Sequence, residues 1–299
     1  MTRKEKVLGS IDREGFGIEI GPSHDPIAPK REGFKVHVID HMSREQLRHK
    51  FSGPGHPGVV IDNIEEVDFV WHGERYADLT GRTNFYDWII GSHLIEHTPD
   101  LVRFLEDCDA LLKDEGVLSL VIPDKRYCFD RFRPITGLAR VVDAHVHGSS
   151  IHSEGTAAEY FMNVVSKGEL GGWSATQAGD YRFYHTIGEA LNGMRAVRED
   201  KAYLDVHNWC FVPHSFRLLM HDLHALGMTR LRELSFTPTP AETFEFYVTL
   251  GRQGTGPGMS RLELLEAIDA ELAVPDAVPK VDAPAAEPSG KGWLARLRK

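Results

Sequence analysis

Between Asn84 and Tyr127 the chain reads NFYDWIIGSHLIEHTPDLVRFLEDCDALLKDEGVLSLVIPDKRY, and this stretch restricts the fold more than any other. Phe85-Tyr86-Asp87-Trp88-Ile89-Ile90 is a short, mostly apolar run, the pattern of a strand buried in a parallel sheet. Thr98, Pro99 and Asp100 read as a helix N-cap, a helix-compatible first residue and an acid at the positive end of the dipole. Leu101, Phe104, Leu105, Cys108, Leu111 and Leu112 then recur at helical spacing, and Gly116 is expected to stop that helix. Val117 to Ile122 is a second apolar run, ended by Pro123. A helix joining two buried strands implies a right-handed parallel crossover, so the chain is expected to be α/β.

The pattern extends in both directions. Phe16 to Ile20 reads as a first strand running into Gly21-Pro22-Ser23, Lys35 to Asp40 as the next, Ser43–Phe51 as a helix, and Ile64 to Val70 as a third strand. Phe51 to Gly58 is a loop by composition. An acid about 20 residues beyond a glycine turn can accept hydrogen bonds from ribose hydroxyls, which gives Asp40 a cofactor role beside the plainer one of capping the next helix. Ligands of open α/β sheets bind beyond the carboxyl ends of the strands, and that rule puts Gly21, Asp40, Ser92 and Asp124 along one edge. Far downstream, a helix from Ser215 to Leu226 is closed by Gly227, and Leu231 to Phe236 and Thr243 to Leu250 read as two strands. About 90 residues separate Pro123 from that region, too many for a connecting loop. Ala157 to Lys167 and Ile187 to Leu204 are partly helical in pattern, so an inserted helical cap over the strand ends is expected.

The segments SHLIEHTPD, LLKDEG and VLSLVIPD together resemble the middle of a class I S-adenosylmethionine-dependent methyltransferase. The likeness is to the methyltransferase type 11 group, particularly members that accompany polysaccharide biosynthesis. It covers roughly Phe16 to Pro123 and returns at Asn208 to Arg252, where Trp209, Phe211, Pro213, Ser215 and Phe216 match a segment that re-enters the core. The resemblance implies a Rossmann-like, seven-stranded, mostly parallel sheet with a helical insertion capping the strand ends. Its expected parts are 1–123 (the cofactor half), 124–206 (the insertion), 207–273 (the C-terminal part of the same domain) and 274–299 (a disordered linker and basic tail). It implies S-adenosyl-L-methionine as cofactor, with Glu19, Gly21, Asp40, Asp78, Ser92 and His93 around it. Asp78 stands where relatives contact the adenine amino group, although a solvated turn acid reads the same way. The chain departs from the family at Pro22, Ser23 and His24, where a run richer in glycine is usual.

Two metal readings also arise. HLIEH, His93 to His97, has the spacing of inverted zinc peptidases, but Pro99 and the preceding strand end deny both histidines one sustained helix. Some methyltransferases of the wider family hold a divalent ion with a Glu and a His of this turn, and Glu96-His97 matches that pair. No second ligand pair is fixed by spacing, so the two are read as stabilising their loop and no metal is expected. Asp143-Ala144-His145-Val146-His147 has the look of an amidohydrolase site without the barrel that would carry it.

Lys125, Arg126, Arg131 and Arg133 follow Pro123 in a chain whose formal charge is −10. A basic cluster at the crevice mouth suits phosphate, so Arg126 and Lys125 are expected to bind a phosphorylated or sugar-type small acceptor. Asp124 would orient an acceptor hydroxyl and His207 would take its proton. The competing reading is a catalytically inactive S-adenosylmethionine-binding or scaffold protein that kept the fold. The acidic balance argues against a nucleic-acid partner. With 41% apolar and 26% charged residues, three unpaired-looking cysteines and no membrane-length apolar run, a cytoplasmic protein is expected. The tail from Trp293 to Lys299 could touch a partner or an anionic membrane surface.

Overall fold

The structure is a computed structural model that describes residues 2–53 and 58–273. The expected linker and basic tail, with Trp293, lie outside the described residues. The strands are β1 (Phe16–Ile20), β2 (Lys35–Asp40), β3 (Phe69–Val70), β4 (Tyr86–Ser92), β5 (Leu112–Pro123), β6 (Val165–Lys167), β7 (Tyr181–Phe183), β8 (Arg232–Thr237) and β9 (Glu245–Gly251). The helices are α1 (Arg3–Leu8), α2 (Arg44–Phe51), α3 (Tyr76–Thr80), α4 (Leu101–Leu111), α5 (Leu138–Val146), α6 (Glu154–Asn163), α7 (Ile187–Asp200), α8 (Pro213–Ala225) and α9 (Arg261–Leu272).

Seven strands form one sheet in the order β3-β2-β1-β4-β5-β9-β8. The pairs from β3 across to β5 are parallel. β9 runs antiparallel to both of its neighbours. The fold is therefore α/β with a Rossmann-like, mostly parallel seven-stranded sheet, as the crossover at Asn84–Tyr127 required. Alternation along the strands feeds two cores. Ile89, Leu118 and Leu120 pack with Leu101, Leu105 and Cys108 of α4 and Phe216 of α8 on one face. Trp88, Ile90 and Val121 pack with Val7 and Leu8 of α1 on the other. Between β5 and α8, helices α5, α6 and α7 accompany a two-stranded ribbon of β6 and β7. Tyr160 and Phe161 of α6 and Ala190 and Val197 of α7 build a separate cluster there.

Three local expectations are corrected. The N-cap of α4 is Asp100, whose Oδ1 accepts the Arg103 N–H at 2.9 Å. Thr98 instead donates to the Ile95 carbonyl and accepts from the Trp209 indole. Gly116 does not end the helix: α4 stops at Leu111 and β5 begins at the next residue. The pairing of β4 with β5 skips from Tyr86/Leu112 to Trp88/Val117, so the residues between are looped out. Gly116 is required in that loop because a Cβ would stand 2.9 Å from the Tyr86 carbonyl. The third strand is two residues long, with a 3-10 turn over Ile61–Asn63 before it. Among the described residues no helix is long and apolar enough to cross a membrane.

Candidate functional site

The strand order reverses at β1, which has β2 on one side and β4 on the other. Open α/β sheets split apart at such a point and leave a crevice beyond the strand ends. Ile20 is paired with Ile39 and with Gly91, so the following residue, Gly21, lies between Asp40 and Ser92. Gly21 has φ +66°, in the left-handed region that side chains avoid, and its N–H donates to the Ile39 carbonyl at 2.8 Å. Ser23 shares that region with φ 52°. Asp40 is buried; its Oδ2 accepts the Ser23 N–H at 3.3 Å and its Oδ1 the His41 N–H at 2.7 Å. The cap of α2 is Ser43, which leaves Asp40 to the glycine turn.

The other residues expected around a cofactor divide by position. Glu19 is committed to the backbone: its two oxygens accept the Ile27 and Ala28 N–H groups at 2.7 and 3.0 Å. Burial pushes its carboxyl up to about 7, against the pull of those two bonds. Asp78 is exposed on α3. Ser92 accepts a 2.5 Å hydrogen bond from Arg3, whose Nε also sits 2.9 Å from Glu245. His93, with φ 48°, reaches the same Glu245 through Nε2 at 2.7 Å. Burial opposes the charge of Glu245, but His93 and Arg3 hold its carboxyl down at about 2. The segment before the first strand is thus tied across the end of β4.

The basic cluster after β5 is turned to internal use. Asp124 is 0% exposed and accepts from the Arg126 Nε and Nη2 and from the Thr239 hydroxyl at 2.6 Å. Arg126 also donates to the Glu271 carbonyl at 3.2 Å. Lys125 is buried, bonds the Arg131 carbonyl at 2.9 Å, and is lowered in pKa by burial. Arg133 lies between Asp130 and Glu159, at 2.8 and 2.9 Å.

His207, expected from sequence to act as a base, belongs to a group that the sequence did not reveal. It is 5% exposed, and its Nδ1 bonds Asp130 Oδ2 at 2.5 Å. Burial opposes the Asp130 charge, yet His207 and Arg133 hold its carboxyl well below the usual range. The imidazole of His97 stands edge-on to that of His207, centroids 4.6 Å apart. Burial lowers the basicity of His97, but Asp205, 2.9 Å from its Nδ1, outweighs this and raises it to about 8. Glu96 completes the group: one ligand atom from each of Glu96, His97 and His207 falls within 4.8 Å of the others. The backbone holds them there, since the Glu96 carbonyl accepts the Asn208 and Trp209 N–H groups at 2.6 and 3.2 Å. The available signal was the aromatic re-entry segment itself, which brings the residue before Asn208 back to the turn after β4.

The remaining histidines of the insertion are spread out. His145 bonds Asp100 at 3.0 Å, and buried His152 bonds the Val206 carbonyl at 3.1 Å. Burial, then the charge of His97, takes His152 down to about 3. A cavity of about 370 Å³ lies between α5, α6 and the re-entry segment, with Arg140, His147, Ser153, Thr156, Asn208 and Trp209 in its wall. A larger one, about 680 Å³, is lined by Asn84, Asp87, Gly116 and Val117, at the amino ends of β4 and β5 and so away from the crevice.

No family model matches the sequence, and no curated protein matches it. Solved structures do show likeness. A structure named as a Zn-dependent alcohol dehydrogenase of Rhodobacter sphaeroides is 13% identical over 84% of this chain and 89% of its own, with a TM-score of 0.46. A S-adenosylmethionine-dependent methyltransferase of Methanosarcina mazei is 11% identical over 82% of this chain and 95% of its own, at 0.40. The CcbJ methyltransferase of Streptomyces caelestis is 11% identical over 84% and 96%, also at 0.40. At such identities, and with TM-scores below 0.5, the fold rests on the strand order itself.

Proposed function

We propose that the chain is a S-adenosylmethionine-dependent methyltransferase acting on a small polar acceptor. The observation that carries this reading is the left-handed Gly21 turn held between Asp40 and Ser92 where the strand order reverses. The residues fit the cofactor. Glycine lets a ligand approach the backbone at Gly21, and a carboxylate at the end of the next strand suits a ribose diol. The 3.3 Å contact of Asp40 with Ser23 is weak enough to be shared with such hydroxyls. When bound, S-adenosylmethionine supplies an electrophilic methyl group. The contribution of this chain is to hold and orient: Gly21 and Ser23 along the backbone, Asp40 at the ribose, Ser92 at the neighbouring strand end.

The polar wall of the 370 Å³ cavity, with His147 and Ser149 beside an Arg140 that also bonds Thr156 and Asn208, supports a small hydrogen-bonding acceptor such as a sugar. A phosphate on that acceptor has no support from Arg126 or Lys125, which are committed inside the protein. A link to polysaccharide assembly rests on the sequence resemblance alone. The second reading, a cofactor-binding protein without turnover, is favoured by Pro22, Ser23 and His24 in place of further glycines.

Calorimetric titration of the full chain with S-adenosylmethionine tests the first step, and release of S-adenosylhomocysteine across a panel of sugars and sugar nucleotides tests the second. One cofactor per chain and product with at least one acceptor are expected. Asp40→Ala should weaken binding by about 1.5–3 kcal/mol, the scale of hydrogen bonds to a charged group. Absence of binding overturns the proposal, and binding without product across the panel favours the second reading.

A further inference from the structure

We propose that Glu96, His97 and His207 form a binding site for a divalent first-row transition-metal ion. Glu96 carries the argument. It is 0% exposed, and among the described residues neither of its oxygens has a hydrogen-bond partner. The imidazole nitrogens paired with it, His93 Nδ1 at 3.6 Å and His207 Nε2 at 3.9 Å, stand beyond hydrogen-bond reach. Three other buried carboxylates are satisfied, Glu19 by backbone amides, Asp124 by Arg126 and Asp130 by His207 and Arg133; Asp107 Oδ1 also lacks an aligned hydrogen bond but has the Arg75 Nε at 2.6 Å. Burying a carboxylate without a partner is costly, and a cation among its neighbours removes the cost.

His97 Nδ1 lies 2.9 Å from Asp205 Oδ1 without an aligned hydrogen bond. His207 is oriented as a ligand: its Nδ1 is on Asp130, and its Nε2, 3.9 Å from Glu96 Oε1, is left for another partner. A carboxylate on the far nitrogen fixes the tautomer and strengthens the lone pair that faces a metal. Support continues outward, since Asp130 is held by Arg133 and Arg133 by Glu159. The His97 side chain is 26% exposed, which leaves a route from solvent. Two imidazole nitrogens and one carboxylate oxygen favour zinc, cobalt, iron or manganese over magnesium and calcium, which prefer oxygen ligands. Three protein ligands also leave coordination positions for water or for an oxygen of a bound molecule.

The test uses the full chain without an affinity tag, stripped with chelator and titrated without S-adenosylmethionine. Cobalt(II) uptake is read by its visible absorption, zinc(II) by competition for the same site, and magnesium(II) serves as comparison. One cobalt per chain, displaced by zinc and not by equimolar magnesium, is expected. Glu96→Gln and His207→Gln should weaken cobalt binding by about 100-fold or more, and Asp130→Asn, a positioning change, by about 10- to 100-fold. His97→Ala, at the partly exposed corner, gives a second variant should the buried ones fail to fold, with circular dichroism as the check. A wild-type chain that retains no ion, or folded variants that bind as the wild type does, would overturn the site. Cofactor calorimetry on the stripped protein keeps the two proposals apart, because S-adenosylmethionine binding in a chain that takes up no metal removes this inference alone.

Discussion

Asp40 and Glu96 are buried carboxylates at the same edge of the sheet, and the molecule treats them in opposite ways. Asp40 ends β2 and gives both oxygens to backbone N–H groups of its own neighbourhood, Ser23 and His41. Glu96 follows β4 in a 3-10 turn, gives its carbonyl to the re-entry segment, and leaves both carboxylate oxygens without a hydrogen-bond partner among the described residues. The first is a local arrangement in which strand register and a glycine turn bring acid and amide together. The second depends on a residue 110 or more positions away, and its side chains meet only because Asn208 and Trp209 dock on Glu96. A satisfied buried acid belongs to the fold; an unsatisfied one beside an oriented imidazole points to a ligand.

The sharpest way to break that distinction is to disturb an acid assigned to the fold. Arg126→Ala leaves Asp124, wholly buried, with the Thr239 hydroxyl and one backbone N–H as its partners among the described residues. Removing one partner of a buried pair costs about 3–5 kcal/mol, so the urea midpoint should fall steeply. A variant with a near-native midpoint but lost acceptor affinity would return Arg126 to the acceptor site.

Glu19 tests the same distinction through pH. Its carboxyl is raised to about 7 in the folded chain by burial, against about 4.5 in the unfolded one. Between those values the folded state binds more protons, so stability is highest below about pH 4.5 from this group and falls as pH rises through 7. The full loss is on the order of 3 kcal/mol. Glu19→Gln carries no titrating group, and the difference between its unfolding free energy and that of the wild type, measured from pH 5 to pH 8, should flatten above 7. An unchanged difference across that range would mean the two backbone amides keep Glu19 ionised throughout.

Gly21→Ala probes the cofactor edge. At φ +66° a Cβ adds strain of about 1–2 kcal/mol, while the nearest side-chain atom, Leu94 Cδ1, is at an ordinary 3.4 Å. Stability should fall by that strain, and S-adenosylmethionine affinity should fall as well because the new methyl stands where the proposed cofactor site brings the ligand to the backbone. Cofactor affinity equal to the wild type would move the ligand away from the turn.

The sheet was legible because its signals are local. Period and turn chemistry within Phe16–Ile20, Lys35–Asp40 and Val117–Ile122 specify strands buried on both faces, and the crossover then fixes their direction. The glycine turn and Asp40 were legible for the same reason, being adjacent through strand register. What escaped were pairings between distant segments. Arg126 beside Asp124 reads as a free basic cluster until the loop at Thr239 closes over it. His207 reads as one histidine among many until it faces Glu96 and His97, and Asp130 and Asp205 carry no motif at all. Helix ends were misread where two capping residues compete within three positions, as Thr98 and Asp100 do.

That competition yields the smallest effect. Asp100 caps α4 through the Arg103 N–H and also meets His145 of α5 at 3.0 Å, so it joins the central crossover to the insertion. Asp100→Ala should cost about 1 kcal/mol for the cap, plus whatever the His145 contact contributes. Asparagine caps as well as aspartate, so Asp100→Asn retains the first contribution and isolates the second. Equilibrium denaturation of the two variants should therefore rank alanine below asparagine by about 1 kcal/mol. Equal losses in both would show that the His145 contact, and not the cap, is what Asp100 supplies, and would tie the start of α4 to the insertion more firmly than to its own helix.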